Sequence, residues 1–312
     1  MIESRSRFFR RYDLRFAARV KAGYALPIVA PKGEISIADA LRVAARKKLC
    51  VEKQANNDTV DLVRIDDTTD GLLVLLFHRT SPTAADPAYR KQKGDDITLR
   101  MTRKGAGEDQ AVSAHLVIST KISPMGGYPC ALEEINGLSL STVSSIIKKA
   151  LDGYNYPYRD KKGLEKETYS TFKALGIKGE SLTDALHNNS SINYLTLTRT
   201  KVPDAPDSDG IAEPQSERIR YKIVGDPKSP EWMKKLRLFE TKIRSDDWDD
   251  IFLDISLEDE RHRTVKLDRE REAAEVMFVR SEQVSVERDL DPCTVDIVPE
   301  LVSAAKKLIV RK

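Results

Sequence analysis

Hydrophobic and polar residues alternate near the start of the chain, in the stretch RYDLRFAARV. The even-numbered positions from Tyr12 to Val20 are apolar, whereas Arg11, Arg15 and Arg19 lie at odd-numbered positions. A period of two residues is typical of a strand that buries one face. The pattern therefore predicts an N-terminal strand whose exposed face carries arginines.

A helix and a series of strands follow. The stretch ISIADALRVAARKKLC has apolar residues at helical spacing, with Ser36 as the expected N-cap and Asp39 three residues later. Its last turns carry Arg46, Lys47 and Lys48, where cations suit the helix dipole. Antiparallel strands are predicted over 60–66, 72–79, 97–103 and 111–120, a loop over 80–95, and a second helix over 139–151. These elements predict a basic antiparallel-sheet domain with one or two helices over residues 1–152.

The second half of the chain mixes strand and helix patterns. INYLTLTRTKV and RIRYKIV alternate like strands, and SPEWMKKLRLFETKI has helical spacing with Ser229 as N-cap and Pro230 in the first position. Residues 203–216 hold three prolines and four acidic residues, a composition typical of a linker or mobile loop. The sequence therefore predicts an α+β fold, with an antiparallel β-rich N-terminal domain followed by a mixed α+β domain over residues 153–312.

Charge is distributed unevenly along the chain. Residues 1–53 hold 13 basic and 5 acidic residues, whereas residues 246–300 hold 18 acidic and 7 basic residues. A basic front indicates a polyanionic partner, and drift in composition between two domains is the alternative explanation. We expect no signal peptide and no membrane insertion, because no apolar run approaches the roughly 20 residues of a membrane span. Three widely spaced cysteines favour a reducing cytoplasm.

Clusters of basic residues predict contacts with the phosphate backbone of DNA. In YNYPYRDKKG the three tyrosines are expected to pack against the protein, which leaves the basic residues after them in solvent. The sequence shows no recognition helix, so base readout is not expected and binding would be tolerant of sequence. The candidate nucleic-acid-binding residues are Arg11, Arg15, Arg19, Arg46, Lys47, Lys48, Arg90, Lys91, Lys93, Arg159, Lys161, Lys162, Arg199 and Lys201.

The sequence contains no phosphate-binding glycine loop, zinc-protease motif or serine-hydrolase motif. The enzymatic alternative is a magnesium-dependent nuclease that uses Asp226, Glu240 and Lys242, since such sites gather carboxylates around Mg²⁺ and use a lysine to orient water. Glu240 and Lys242 lie in a stretch with helical spacing, however, where their side chains would diverge. We therefore expect a non-enzymatic protein with no cofactor and no metal.

Four segments carry a resemblance to a known family: VDLVRIDDTTDGLLVLLFHRT, SAHLVIST, LGIKGESLTDALHNNSSINYLTLTRTKV and WDDIFLDISLED. Across residues 60 to 260, their order of strands and loops resembles phage superinfection-exclusion proteins of the Rex A type. It also resembles the related DNA-binding subunits of anti-phage systems such as Kiwa (KwaB). The resemblance implies a cytoplasmic, dimeric, sequence-tolerant DNA binder of phage or host-defence origin that works with a second protein component. It assigns no catalytic residue.

Three hypotheses therefore stand at this point. The first is a DNA-binding protein that forms homo-oligomers. The second is the nuclease, and the third is an interaction component of a multi-subunit defence system, whose acidic C-terminal half docks a partner protein.

Overall fold

The structure is a computed structural model that describes residues 3–20, 25–31, 34–69, 71–124, 126–177, 180–181, 191–199, 216–226, 229–246, 248–256, 262–266, 277–278 and 281–310. Contacts divide the chain into two compact units. Unit 1 comprises Met1–Ile177 together with Ser281–Lys312, and unit 2 comprises Lys178–Arg280.

Seventeen strands and four helices are described. The strands are β1 (Ser6–Ala18), β2 (Val51–Lys53), β3 (Thr59–Asp66), β4 (Leu72–Ser81), β5 (Ala88–Lys93), β6 (Asp96–Met101), β7 (Gln110–Ser119), β8 (Tyr128–Glu133), β9 (Asn155–Arg159), β10 (Glu165–Gly176), β11 (Glu180–Ser181), β12 (Ser191–Arg199), β13 (Glu217–Lys222), β14 (Asp250–Ser256), β15 (His262–Lys266), β16 (Met277–Phe278) and β17 (Ser281–Ser285). The helices are α1 (Ile37–Arg46), α2 (Leu140–Asp152), α3 (Pro230–Ser245) and α4 (Pro299–Val310).

A nine-stranded antiparallel sheet forms the centre of unit 1, in the order β2-β3-β4-β7-β8-β1-β10-β9, with β17 also paired to β1. The predicted N-terminal strand is confirmed as β1, which has 13 residues. Its length lets it pair with β17 along Ser6–Arg10, with β8 along Phe9–Leu14 and with β10 along Tyr12–Ala18. Strand β1, near the start of the chain, is therefore paired with β17 near its end, as well as with β8 and β10.

Both faces of this sheet are buried. Residues Leu72 to Phe77 of β4 are all buried although successive side chains point to opposite faces, which explains the continuous apolar run in the sequence. Helix α4 packs on the face that holds Val74 and Val117. Helices α1 and α2 pack against each other and contact β2, β3 and β10. We infer that they cover the opposite face. Burial of apolar surface on both sides is the main stabilising term of such a layered unit.

A buried charge network crosses the sheet between β1, β7 and β8. Glu133 is 1% exposed, and its carboxylate forms an ion pair with Arg7 Nε at 3.0 Å and accepts a hydrogen bond from His115 Nδ1 at 2.7 Å. The backbone N–H of Val298 donates to His115 Nε2 at 3.1 Å, just before α4 begins at Pro299. A backbone N–H can only donate, so Nε2 is the unprotonated nitrogen and Nδ1–H faces Glu133.

Unit 2 has its own core. Its main sheet is antiparallel in the order β13-β12-β14-β15, and β11 pairs with β16 in a separate short sheet. Helix α3 packs Leu236 and Ile243 against Leu195 and Leu253 of the main sheet. The expected cap of this helix is confirmed, because the Ser229 side chain accepts a hydrogen bond from the backbone N–H of Trp232 at 3.1 Å.

The predicted α+β fold class is wrong. The structure is β-rich, with 46% of the described residues in strands and 19% in helices. After α2 the chain returns as β9 and β10 to the sheet of β1, and β17 joins the same sheet near the end of the chain. The predicted loop over 80–95 also contains β5. Alternation identifies single strands, but it does not reveal which distant strand completes the hydrogen bonds of each one.

The observed division into units differs from the predicted boundary between residues 152 and 153. That boundary falls inside unit 1, between α2 and β9, and β17 and α4 also belong to unit 1. The predicted mobile loop at 203–216 lies outside the described residues, apart from Ser216.

Replacement of Glu133 by glutamine tests the buried network. We expect Glu133→Gln to lower the free energy of unfolding by about 3–5 kcal/mol, because Arg7 would stay buried without a counter-charge. The matched control is Glu300→Gln, which removes an exposed pair with Arg288 and should cost at most about 1 kcal/mol. Urea unfolding followed by circular dichroism measures both, and equal losses in the two variants would contradict a special role for Glu133.

Candidate nucleic-acid interface

The predicted arginines of β1 lie close to carboxylates of the protein itself. Arg11 is half-buried, with Nη1 at 4.0 Å from a Glu282 carboxylate oxygen. Arg15 is more exposed, and its Nε lies 3.4 Å from Asp13. Arg19 follows the strand and is exposed. Two of the three predicted arginines, Arg11 and Arg15, therefore have a carboxylate of the protein nearby.

Asp13 is held firmly beside Arg15. Its side chain is buried and accepts a hydrogen bond from Ser123 Oγ at 3.3 Å. Gly127 lies so close that a Cβ there would come within 2.1 Å of an Asp13 carboxylate oxygen. Glycine at position 127 thus lets the β8 connection approach this carboxylate, which offsets the charge of the neighbouring arginine.

The second predicted cluster lies at the C-terminal end of α1. The capping box predicted at the start of this helix is confirmed, with reciprocal hydrogen bonds between Ser36 and Asp39. Arg46, Lys47 and Lys48 are exposed at the other end. These cations interact favourably with the negative end of the helix dipole. Their position therefore has a structural explanation besides ligand binding.

The third predicted cluster lies on the turn between β9 and β10. Arg159, Lys161 and Lys162 are exposed there. Asp160 orders the turn, since its carboxylate accepts hydrogen bonds from the backbone N–H groups of Lys162 at 2.8 Å and Leu164 at 3.1 Å. Its second oxygen lies 2.8 Å from Lys166 Nζ.

Two further predicted residues, Arg199 and Lys201, belong to unit 2. Arg199 donates to Glu217 from Nε at 2.7 Å, and its guanidinium lies 4.5 Å from the ring centre of Trp248. Both contacts engage it within the unit. Lys201 lies outside the described residues. The structure therefore distributes the candidate residues over several separate elements.

The hairpin of β5 and β6 is the most exposed basic element among the described residues. It is inserted between β4 and β7, which pair with each other up to Ser81 and Gln110. The two strands form a two-stranded sheet of their own, and every residue of both is exposed. Arg90, Lys91 and Lys93 all lie on β5. The hairpin is thus an arm that contributes little apolar burial to unit 1.

The register divides this arm into two different faces. Tyr89 is opposite Arg100, Lys91 is opposite Thr98 and Lys93 is opposite Asp96. Directly opposed residues share a face, so Lys91, Lys93 and Arg100 form a basic face, on which Asp96 lies beside Lys93 at the end near the tip. The Arg100 guanidinium lies 5.0 Å from the ring centre of Tyr89. No ion pair links these three cations to any residue that the structure describes.

The other face of the arm is apolar. Ile97 is 56% exposed, Leu99 is 70% exposed and Met101 is 58% exposed. Arg90 shares this face with Leu99.

The sequence analysis selected basic residues only on the β5 half of the arm. It did not select Arg100, Arg103 and Lys104, although these residues continue the basic character of β5. The signal was present as two alternating stretches, YRKQK and ITLRM, on either side of GDD. The prediction of a loop over 80–95 separates YRKQK from ITLRM and so hides the hairpin.

The residues of the nuclease alternative lie on and just before one helix. Glu240 and Lys242 belong to α3, and Asp226 lies in the segment before it. Within the described ranges no group of three histidine, cysteine, aspartate or glutamate side chains is placed to hold a metal ion.

Burial raises the pKa of the Cys50 thiol to about 11, which keeps it protonated at neutral pH.

No helix in the described part of the chain is both long enough and apolar enough to cross a membrane.

Comparison of the chain with protein-family models, with curated proteins and with solved structures finds no match. The resemblance to Rex A-type and KwaB proteins, and the dimer, second protein component and cytoplasmic location that it implies, stay predictions.

The β9–β10 turn allows a direct test of its electrostatics. The hydrogen bond from Lys166 is the main cause that lowers the pKa of the Asp160 carboxyl. The Asp160–Lys166 pair is therefore present at neutral pH and is lost as the pH falls through this lowered pKa. We expect Lys166→Ala to raise the pKa of Asp160 toward its ordinary range.

The control is Lys162→Ala, because residue 162 contacts Asp160 through its backbone N–H. Titration of the Asp160 carboxyl carbon by NMR distinguishes the two variants. A pKa that is unchanged in Lys166→Ala would show that the backbone donors, and not Lys166, stabilise the carboxylate.

Proposed function

We propose that this protein binds double-stranded DNA without sequence preference, and that the basic face of the β5–β6 arm makes the main contacts. The observation that carries this proposal is the position of Lys91, Lys93 and Arg100 on one face of a fully exposed hairpin. Cationic side chains that replace condensed counterions on the phosphate backbone gain affinity from the release of those ions.

The dimensions of the arm suit a duplex. Each strand has six residues, so the arm is about 20 Å long at roughly 3.3 Å per residue. Its two strands are about 4.8 Å apart, and the major groove, about 12 Å wide, admits a two-stranded ribbon. Asp95 and Asp96 stand near the tip, where phosphates would repel them. The side of the arm, and not its tip, is therefore the surface we assign to the backbone.

Tolerance of sequence follows from the side chains available on this face. Two of the three cations are lysines, which act as flexible point charges. Tyr89 lies against Arg100, which occupies one side of its ring. Base-edge readout depends on bidentate arginine, asparagine or glutamine contacts, and Gln92 lies on the opposite face with Ile97. Contacts of this kind neutralise phosphates and do not discriminate between base pairs.

The arm and the predicted α1 cluster provide matched variants. The first variant replaces Lys91, Lys93 and Arg100 with glutamine, and the second replaces Arg46, Lys47 and Lys48 with glutamine. Each removes three positive charges from exposed positions, so the net charge of the chain changes equally. Fluorescence anisotropy with two 30-base-pair duplexes of unrelated sequence, between 50 and 200 mM salt, measures affinity for each protein.

We expect the arm variant to bind both duplexes more weakly and by the same factor. The slope of log affinity against log salt should decrease by about 2.7, since each phosphate contact contributes roughly 0.9. Across 50 to 200 mM salt, three contacts correspond to a change in affinity of about 40-fold. The α1 variant should keep a slope close to that of the wild-type protein.

Two results would reject the proposal. Wild-type affinity that does not change with salt would exclude binding through the phosphate backbone. An α1 variant that loses as much slope as the arm variant would show that general charge, and not the arm, determines binding.

A further inference from the structure

Unit 2 contains a cavity of about 530 Å³ that none of the features described so far uses. It lies between the first half of α3 and β13, the outermost strand of the described sheet order. Its apolar lining consists mainly of Leu195, Tyr221, Val224, Trp232, Leu236 and Phe239. Sites for small molecules commonly have volumes of about 300–1,000 Å³ and a lining of apolar and aromatic side chains.

The walls of this cavity are fixed by packing. Leu195 lies opposite Tyr221 in the β12–β13 register, so the two side chains share one face of the sheet. Because Leu195 is only 1% exposed, it forms the floor of the cavity. Trp232 and Phe239 project from α3, and Phe239 meets Tyr221 edge to face with ring centres 5.7 Å apart. Trp232 Nε1 donates to the backbone carbonyl of Val224 at 3.2 Å, which sets the orientation of the indole.

The mouth of the cavity leaves apolar surface in contact with water. Val224 is 79% exposed, Tyr221 is 42% exposed and Phe239 is 38% exposed. A ligand that covered these side chains would remove apolar and aromatic area from water, which stabilises a complex by roughly 25 cal/mol for each Å². Flat rings suit such walls, because aromatic pairs favour stacked or edge-to-face contacts.

Among the lining residues that the structure describes, the charges are balanced. Lys222 and Lys235 contribute two positive charges, and Asp226 and Glu231 contribute two negative charges. Their fields largely oppose each other, so the site favours neither an anion nor a cation. We propose that this cavity binds a small, planar, uncharged aromatic molecule. The proposal is independent of the DNA-binding arm, which belongs to unit 1.

Three probes with the same ring test the ligand class on the full chain. They are 2-naphthalenemethanol, which is neutral, 2-naphthoate, which is an anion, and 2-naphthylmethylammonium, which is a cation. Isothermal titration calorimetry should show that the neutral probe binds, with both charged analogues binding no more tightly. Absence of binding by the neutral probe at millimolar concentration, or binding of one charged analogue ten times more tightly, would overturn the proposal.

The two tryptophans of the chain provide a readout of location. Trp232 lines the cavity, whereas Trp248 lies against Arg199 in the same unit. In ¹⁵N-labelled protein each indole N–H gives one signal, and Trp248→Phe identifies the signal of Trp232. The neutral probe should shift the Trp232 signal and leave the Trp248 signal in place. A shift of the Trp248 signal alone would place the binding elsewhere.

Adjacent positions on α3 provide a matched pair of variants. Phe239 lines the cavity, whereas Leu238 is 73% exposed and is not part of the lining. We expect Phe239→Ala to weaken binding of the neutral probe about 2- to 10-fold, the range that corresponds to one aromatic contact. Leu238→Ala should bind as the wild-type protein does.

The unchanged Trp248 signal serves as the check that each variant is folded. If Phe239→Ala disturbs that signal, Phe239→Leu replaces it, since leucine keeps apolar volume but removes the ring. Wild-type affinity in a folded Phe239 variant would show that the cavity is not the binding site.

Discussion

The sheet of unit 1 depends on the interactions that the buried carboxylate of Glu133 makes. This carboxylate forms an ion pair with Arg7 on β1 and accepts a hydrogen bond from His115 on β7, while His115 accepts one from the backbone N–H of Val298 before α4. An unpaired charge in this position would be strongly destabilising, so the strands and the helix must meet in one arrangement. The network therefore sets the position of β1, the strand that pairs with segments from three parts of the chain.

The predicted arginines of β1 differ from the cations of the arm in their surroundings, because Arg11 and Arg15 lie near carboxylates of the protein. The neighbouring strand β17 brings Glu282 near Arg11, and Asp13 of β1 itself lies near Arg15. The β5–β6 arm has the opposite environment, because it is inserted between paired strands and has no sheet partner in the described part of the chain. Its cations keep their water and their charge, which is the condition for exchanging counterions with a polyanion.

The two proposals rest on different physics in different units. The arm depends on charge and is sensitive to salt, whereas the cavity of unit 2 depends on apolar contact with Tyr221, Trp232 and Phe239. Unit 2 has its own hydrophobic core between α3 and its sheet. Substitutions in one site are therefore expected to leave the other site unchanged, because the two sites share no residue and each is built within its own unit.

Local patterns in the sequence determined much of the secondary structure. The alternation of β1, the buried run of β4 and the capping box of Ser36 and Asp39 each follow from neighbouring residues, and each is present. The pairing of strands was decided only by the tertiary structure, which replaced the expected α+β arrangement with a largely antiparallel β one. It also decided which cations face carboxylates. Periodicity shows which face of a segment is buried, whereas strand partners and ion pairs depend on residues far away in the chain.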